Sequence, residues 1–170
     1  HVVRRDPRGV AVDQLPHHLT SLMMYGHGLL IPIPDIDHTD FMLILGGNPL
    51  ASNGSIMTVP DVEKRLKALQ ARGGKLVVVD PRRSEAAAIA DQHLFVRPGE
   101  DAALLFGLLN TLFDEDLTRA RHLPVADLDE LRAAVKPFTA EAMGPRCGVP
   151  AVQIRQLARD FAAADKAVCY

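Results

Sequence analysis

Residues 41–54 read FMLILGGNPLASNG, and residues 75–83 read KLVVVDPRR. Each segment begins with an apolar run of strand length and then changes abruptly to glycine, asparagine, proline or charged residues. Unbroken apolar runs of this kind are typical of strands that are covered on both faces, as in parallel sheets. Open α/β sheets bind ligands where such strands end. The sequence therefore predicts two buried strands, Phe41–Leu45 and Leu76–Val79, each followed by a candidate binding loop.

A helix is predicted between these strands, from Pro60 to Arg72. Proline is suited to a first helical turn, and the pair Gly73-Gly74 can cap the carboxyl end. The apolar residues Val62, Leu66 and Leu69 fall on one helical face. A strand, a helix and a strand in this order form a βαβ unit, whose crossover is right-handed in nearly all known cases, so the two strands are predicted to be parallel.

The rest of the chain completes an α/β domain with a helical C-terminal half. Before the first strand we predict a linker or disordered edge over residues 1–12, a helix over Asp13–Tyr25 and a connecting loop over 29–40. After the second strand we predict a short helix over 84–90, a strand over His93–Val96 and a largely apolar central helix after Gly99. Two further helices are predicted, one over 128–135 with Asp127 and Glu130 as its capping box and one opened by Val149-Pro150. A last strand is predicted to start near Val168.

Composition excludes several classes of protein. The chain has 170 residues, 48% of them hydrophobic, enough for one compact domain over residues 13–170. Its net charge is −2 and its 19 basic residues are scattered, so we expect no nucleic-acid partner. No apolar run reaches the length of a membrane span, so no direct membrane insertion is expected. Because the chain starts at His1 and stops where a buried strand is predicted to begin, we expect an internal piece of a longer protein.

The loop after the first strand offers a close backbone approach to a ligand. Gly46 and Gly47 lack side chains, and Asn48 and Ser52 supply hydrogen-bonding groups, which suits a pyrophosphate or a sugar edge. This loop lacks the G-x-G-x-x-G fingerprint of dinucleotide-binding domains. An ordinary turn between a strand and a helix would have the same composition.

The loop after the second strand combines a carboxylate with two cations. Asp80 occupies the position where α/β nucleotide-binding domains place an acidic residue against ribose hydroxyls. After Pro81, Arg82 and Arg83 can each pair with phosphate through a planar fork of donors. Alternatively, Asp80 caps the short helix over 84–90 and the arginines are simply solvated.

A third loop, RPGED at 97–101, precedes the central helix. Asp101 can accept hydrogen bonds from two donors on one edge of guanine, which adenine does not offer. The two acids can equally well do no more than complement the helix dipole. Elsewhere, no histidine pair has ligand spacing, the cysteines Cys147 and Cys169 form no C-x-x-C motif, and no nucleophile stands at a recognisable distance from a base. We therefore expect no metal ligand and no catalytic residue in this chain.

Taken together, GGNPLASNG, VVVDPRRSEAAAIAD and FVRPGEDAALLFGLL resemble, in this order and spacing, the molybdopterin oxidoreductases with bis(molybdopterin guanine dinucleotide) cofactors. That family includes formate dehydrogenases, nitrate reductases and dimethyl sulfoxide reductase. The segment CGVPAVQIRQLARDFAAADKAVCY is similar to the family as well, so the resemblance extends from about residue 12 to residue 170. It implies a Rossmann-like three-layer domain with a mainly parallel sheet, which holds the guanine dinucleotide end of one cofactor.

The resemblance carries over to individual residues. It implies that Gly46, Gly47, Asn48 and Ser52 form the first cofactor loop, that Asp80, Pro81, Arg82 and Arg83 form the second, and that Gly99, Glu100 and Asp101 form the third. Glu100 departs from the family pattern, which commonly has threonine there, so a hydroxyl contact at that position is not implied.

Other parts of the family's machinery have no counterpart in these 170 residues, namely the cysteines of the iron–sulfur cluster, the ligand to molybdenum or tungsten, and the domain that grips the second pterin. We therefore expect a cofactor-binding domain that is inactive alone. Its expected partners are the remaining domains of a parent oxidoreductase and electron-transfer subunits, in the cytoplasm or, with an upstream signal, in the periplasm. Two alternatives remain: a structural homologue without cofactor in an electron-transfer complex, and a generic nucleotide-binding domain.

Overall fold

A computed structural model describes residues 14–52, 57, 59–118 and 128–170. The described chain divides into two compact units, one that ends at Ile33 and one from Pro34 to Tyr170. The first unit contains helix α1 (Gln14–Tyr25). The second contains, in order, β1 (Phe41–Leu45), α2 (Val62–Ala71), β2 (Lys75–Val79), α3 (Glu85–Ile89), β3 (Gln92–Leu94), α4 (Asp101–Asp114), α5 (Leu128–Val135), α6 (Ala140–Cys147), α7 (Ala151–Ala163) and β4 (Ala167–Cys169).

The four strands form one parallel sheet in the order β3-β2-β1-β4. The chain adds β2 and β3 outward from β1 on one side and then returns, through the helical segment, to place β4 on the other side of β1. The strand order therefore reverses between β1 and β4. In open parallel sheets, the carboxyl end of such a reversal point is the usual location of a ligand crevice.

Both faces of the sheet are covered, which explains the unbroken apolar runs. In β1, Met42 and Ile44 pack on one side together with α2 and α3, whereas Phe41 and Leu43 pack on the other side with α4, α6 and α7. Met42, Ile44 and all four residues from Leu76 to Val79 are fully buried. The prediction of parallel strands covered on both faces is confirmed.

Helix α2 ends as its sequence predicts. Gly73 has a φ of +89°, and its N–H donates to Gln70 while the N–H of Gly74 donates to Leu69. This pair of bonds is the Schellman motif, which satisfies the last carbonyls of a helix and favours glycine at the left-handed position. The helix begins at Val62 rather than at Pro60, because Asp61 has a left-handed backbone with a φ of +52° and cannot continue a helix backwards.

Several expectations need correction. Helix α6 contains Gly144 and Pro145, and the sequence does not predict it, since both residues disfavour helix interiors. Strand β3 spans Gln92–Leu94 rather than His93–Val96. Helix α4 packs against α6 and α7 as a central helix, but Leu105 and Phe106 are about 40% exposed, so it is not covered on all sides. The predicted linker over 1–12 and the capping residue Asp127 lie outside the described residues.

Candidate functional site

The ends of three strands lie in one row across the sheet. Leu45 of β1 pairs with Val79 of β2, and Val79 pairs with Leu94 of β3. The next residues remain hydrogen-bonded across the strands, because the N–H of Gly46 donates to Val79 at 2.8 Å and that of Asp80 donates to Leu94 at 3.1 Å. Neighbouring strands are about 4.8 Å apart, so the first two candidate loops leave the sheet side by side.

The first loop starts with two glycines in different situations. Gly46 has a φ of +66° and open space where a Cβ would lie. Gly47 is crowded instead, because a Cβ there would lie 3.1 Å from Cγ2 of Ile44 and 3.3 Å from Cε1 of Tyr170. The ring of Tyr170, which follows β4, thus covers the start of the first loop at the β1–β4 reversal point. Glycine is favoured at Gly46 by backbone conformation and at Gly47 by close packing.

Asn48 bridges the first loop to helix α3. Its Nδ2 donates to Oε2 of Glu85 at 2.6 Å, and its Oδ1 accepts the N–H of Ala86 at 3.2 Å. Its main-chain carbonyl accepts from Ala51, at 3.1 Å, and from the N–H and the hydroxyl of Ser52, at 3.4 and 3.2 Å. Both side chains that we predicted to contact a cofactor, Asn48 and Ser52, therefore have partners within the chain.

The second loop begins with a buried carboxylate. Asp80 is 7% exposed, its Oδ1 accepts the N–H of Arg82 at 2.7 Å, and its carbonyl accepts from Nε2 of His93 at 3.0 Å. Asp80 does not cap helix α3, which excludes one alternative for this residue. The cap is Ser84, whose hydroxyl accepts the N–H of Ala87 at 3.3 Å. Asp80 instead closes a turn on its own loop and leaves its second carboxylate oxygen without a partner among the described residues.

Three exposed residues follow Asp80. Pro81 restricts the backbone, and the side chains of Arg82 and Arg83 lie in solvent. Neither guanidinium makes a hydrogen bond or an ion pair with any residue of the described part of the chain. Arg82 contributes to a lower pKa of the nearby Glu85 carboxyl, although the main cause of that lower pKa is the hydrogen bond from Asn48. The second loop thus presents positive charge to solvent beside the first loop.

The third loop is a tight turn ahead of helix α4. The N–H of Glu100 donates to the main-chain carbonyl of Arg97 at 3.0 Å, and Gly99, after Pro98, has a φ of +82°. This is the pattern of a type II turn. The N–H of Arg97 donates to the main-chain carbonyl of Cys147 at 2.7 Å, which connects this loop to the end of helix α6. It therefore lies three residues beyond the end of β3, on the face of the sheet that α4, α6 and α7 cover.

The two acids of this turn differ in their surroundings. Glu100 precedes helix α4 without capping it through its side chain, and its Oε2 lies 3.6 Å from Nε of Arg146. Asp101 is the first residue of α4 and is partly exposed, and its carboxylate has no hydrogen-bond or ion-pair partner among the described residues. Both the guanine-binding and the helix-dipole interpretations of Asp101 agree with this position.

Other features of the described residues lie away from these loops. An apolar cavity of about 260 Å³ lies between the sheet and helices α4 and α7, and none of the predicted site residues lines it. The described ranges contain no group of three or more histidine, cysteine or acidic side chains placed to hold a metal ion. None of their helices is both long enough and apolar enough to cross a membrane.

Sequence reasoning missed four residues at this edge of the sheet. Ser84 and Glu85 follow the second loop directly, and a serine before an alanine-rich helix is a recognisable cap. No local signal identifies Glu85, His93 or Tyr170, because each contacts a residue that is distant along the chain: Asn48, Asp80 and Gly47, respectively.

The strand order and the loops at the carboxyl ends of the strands define a parallel α/β domain of the Rossmann-like class. A family model described as "molybdopterin oxidoreductase" matches residues 13–137. The chain belongs to the molybdopterin oxidoreductase family, as its motifs implied.

Individual relatives agree with this assignment. The chain is 33% identical to formate dehydrogenase H of Escherichia coli (strain K12), in a match that covers 79% of this chain and 18% of the relative. It is 31% identical to dimethyl sulfoxide/trimethylamine N-oxide reductase of Cereibacter sphaeroides, over 88% of this chain and 19% of the relative. Among solved structures, acetylene hydratase from Pelobacter acetylenicus superposes with a TM-score of 0.70 and 29% identity, over 81% of this chain and 18% of that one. The chain spans about a fifth of the length of these relatives.

Proposed function

We propose that this chain is the cofactor-binding domain of a longer molybdenum or tungsten oxidoreductase and that it holds the guanine dinucleotide end of a molybdopterin cofactor. The observation that carries this proposal is the common row of strand ends, which brings the first two loops together at one edge of the sheet. Membership of the molybdopterin oxidoreductase family supplies the chemical class of the ligand.

The donors at this edge fit a diphosphate. Gly46 has open space where a Cβ would lie, so a ligand can approach the backbone there, and the guanidinium groups of Arg82 and Arg83 are not engaged by described residues. Arginine forks match phosphate oxygens in geometry and charge. We assign the diphosphate to Gly46, Gly47, Arg82 and Arg83, and a ribose hydroxyl to the oxygen of Asp80 that Arg82 leaves unused.

The guanine base is assigned to the third loop. The carboxylate of Asp101 has two acceptor oxygens and no described partner, which suits the N1–H and the exocyclic amine of guanine. The backbone of Gly99 and Glu100 lies directly before it in the turn. Adenine offers no matching pair of donors, so Asp101 would select guanine over adenine.

The cofactor, once bound, supplies the metal-centred chemistry of the parent enzyme. The residues of this chain bind and orient the distal, nucleotide end of that cofactor, and we assign none of them to the reacting atoms. The isolated chain is therefore proposed to be inactive, with the remaining domains of the parent, iron–sulfur centres and electron-transfer subunits as its partners in a cytoplasmic enzyme. One related protein is named acetylene hydratase, so relatives of this chain are not all named as reductases or dehydrogenases.

Guanine release from the full-length parent polypeptide tests this assignment. Acid hydrolysis of the purified protein should yield GMP together with the metal. The variant Asp101→Ala should lose roughly 10- to 100-fold in affinity for GDP, because two hydrogen bonds to a charged group are lost, and should bind ADP as before. The matched control is Asp165→Ala, which removes an exposed carboxylate just before β4, at the amino ends of the parallel strands.

Three results would argue against the proposal. A parent protein that contains neither GMP nor metal would favour the structural homologue without cofactor, a role that the internal partners of Asn48 and Ser52 would also suit. A preference for NAD would favour a generic nucleotide-binding domain. Substrate turnover by the 170-residue chain alone would contradict the proposed inactivity.

A further inference from the structure

Both polar atoms of the Asn48 amide are engaged by helix α3. Nδ2 lies 2.6 Å from Oε2 of Glu85, and Oδ1 lies 3.2 Å from the nitrogen of Ala86. This orientation of the amide is chemically required, because an ionised carboxylate can only accept and a main-chain N–H can only donate. The hydrogen bond from Asn48 is also the main cause of a pKa below the usual range for the Glu85 carboxyl, which keeps that carboxyl ionised and accepting.

The rest of the first loop depends on the position of Asn48. Its carbonyl accepts from the N–H groups of Ala51 and Ser52 and from the Ser52 hydroxyl. These bonds close the turn that follows the two glycines. Consequently, whatever fixes Asn48 also fixes the turn over residues 48–52, which directly follows the two glycines.

Glu85 lies on the far side of the second loop from β2. Glu85 is the first residue of α3, and the cap of that helix, Ser84, directly follows Arg82 and Arg83. The contact between Asn48 and Glu85 thus joins the first loop to the end of the second, across the residues assigned to the diphosphate. We refer to this contact as the Asn48–Glu85 brace.

We propose that Glu85 is a positioning residue for the cofactor loops and that Asn48 acts as its partner in the brace rather than as a direct ligand of the cofactor. This inference rests on the proposed function and deepens it, since it reassigns Asn48, whose cofactor contact was carried over from the resemblance. The brace holds the glycines of the first loop and the arginines of the second at a fixed separation. No chemistry is assigned to Glu85 itself.

Exchanging donor and acceptor provides the test. In Asn48→Asp, two carboxylates face each other, so the brace should open and guanine retained by the full-length parent should fall about tenfold, the effect of losing one hydrogen bond to a charged group. In Glu85→Gln, the side-chain carbonyl that remains at position 85 can still accept from Asn48, so retention should fall by no more than about threefold. In the double variant, an aspartate at 48 can accept from the new amide at 85, and retention should return to within about threefold of the wild type.

A direct role of Asn48 predicts a different result. If its amide donated to the cofactor, Glu85→Gln would not rescue Asn48→Asp, and the double variant would remain as poor as the single one. That outcome, or wild-type retention in Asn48→Asp, would overturn the inference. The control is Glu63→Gln, which removes the charge from an exposed pair with Lys67 of the same 2.6 Å length on helix α2. It should leave guanine retention unchanged.

Hydrogen exchange separates this inference from the proposed function. In protein freed of cofactor, exchange at the amides of Ala51 and Ser52 should accelerate in Asn48→Asp and slow again in the double variant. If exchange changes in this way while the wild-type parent contains no guanine nucleotide, the proposed function fails and the brace stands. If guanine is present and neither retention nor exchange is rescued, the brace fails and the proposed function stands.

Discussion

The first and second loops leave the sheet side by side, yet they differ in how their polar groups are used. In the first loop, the side chains of Asn48 and Ser52 have partners within the chain. In the second loop, only Asp80 is bound internally, and the guanidinium groups of Arg82 and Arg83 have no described partner. Two loops with equally polar sequences thus have different tasks: one provides a fixed backbone shape, and the other provides free charge.

This contrast separates binding from stability. Groups with internal partners contribute to the folded state, so their loss should lower the free energy of unfolding. Exposed groups without partners contribute little to stability, so their loss should lower only the affinity for a ligand. The loop sequences alone do not reveal which residue belongs to which group.

The largest effect is expected from removing the free charge. The double variant Arg82→Ala/Arg83→Ala should weaken GDP binding by the cofactor-free parent about 100-fold or more, because each charge-assisted hydrogen bond to phosphate contributes about 1.5 to 3 kcal/mol. Its free energy of unfolding should stay within about 0.5 kcal/mol of the wild type. Calorimetric titration and urea unfolding measure the two quantities. Lys64→Ala/Lys67→Ala on helix α2 removes equal charge and should bind GDP normally, and equal losses in both double variants would show a nonspecific charge effect.

Asp80 is the member of the second loop that should affect stability. Asp80→Ala leaves the N–H of Arg82 without its buried acceptor, and the free energy of unfolding should fall by about 1 to 3 kcal/mol. Asp80→Asn retains an acceptor oxygen and should lose less, as measured by urea unfolding. Equal stability of Asp80→Ala and the wild type would show that this hydrogen bond contributes nothing to the fold.

Gly46 tests the fixed shape of the first loop. Its φ of +66° is unfavourable for residues with a Cβ, so Gly46→Val should lower the free energy of unfolding by about 1 to 2 kcal/mol. Gly46→Asn should lose less, because asparagine tolerates this conformation and a Cβ meets open space there. Thermal or urea unfolding distinguishes the two. If valine is tolerated as well as asparagine, the backbone at this position is not constrained.

The smallest effect is the pH dependence that comes from Glu85. The hydrogen bond from Asn48 lowers the pKa of this carboxyl in the folded state below the usual value of 4.5. Its contribution to stability is therefore present above the unfolded-state pKa and is lost as the pH falls through the lower folded-state value. Urea midpoints measured at about pH 6 and about pH 4 should differ less in Glu85→Gln than in the wild type. Asn48→Ala should flatten the profile similarly, and an unchanged profile in both variants would contradict the assignment.

The strands were predictable because their burial is uniform. Strand β1 has the predicted bounds and β2 begins one residue earlier, since both are covered on two faces and their apolar runs stop where the sheet stops. Strand β3 was less well placed because it is an edge strand in which only Leu94 is fully buried. Helix α6 was missed because Gly144 and Pro145 oppose local helix formation. Close packing favours the small residue there, since a Cβ at Gly144 would lie 2.9 Å from the Val149 carbonyl.

The candidate site was predictable only in part, for a similar reason. Loops that follow apolar strands can be located from local sequence, and the register of the sheet places two of them together. Glu85 and Ala86, which bind the Asn48 side chain, are 37 and 38 residues away from it, and Tyr170 is more than 100 residues away from Gly47. No local pattern encodes such contacts.

The position of β4 also affects how the domain acquires its fold. Strands β1 and β2 are joined by a single short helix, whereas β4 must return to β1 across more than 120 residues of intervening chain. Contacts that close long loops form late, because their entropic cost comes before their energetic reward. The contact between the ring of Tyr170 and the first loop would then be among the last to form. During synthesis, the packing around Gly47 would be complete only after this strand had emerged and docked.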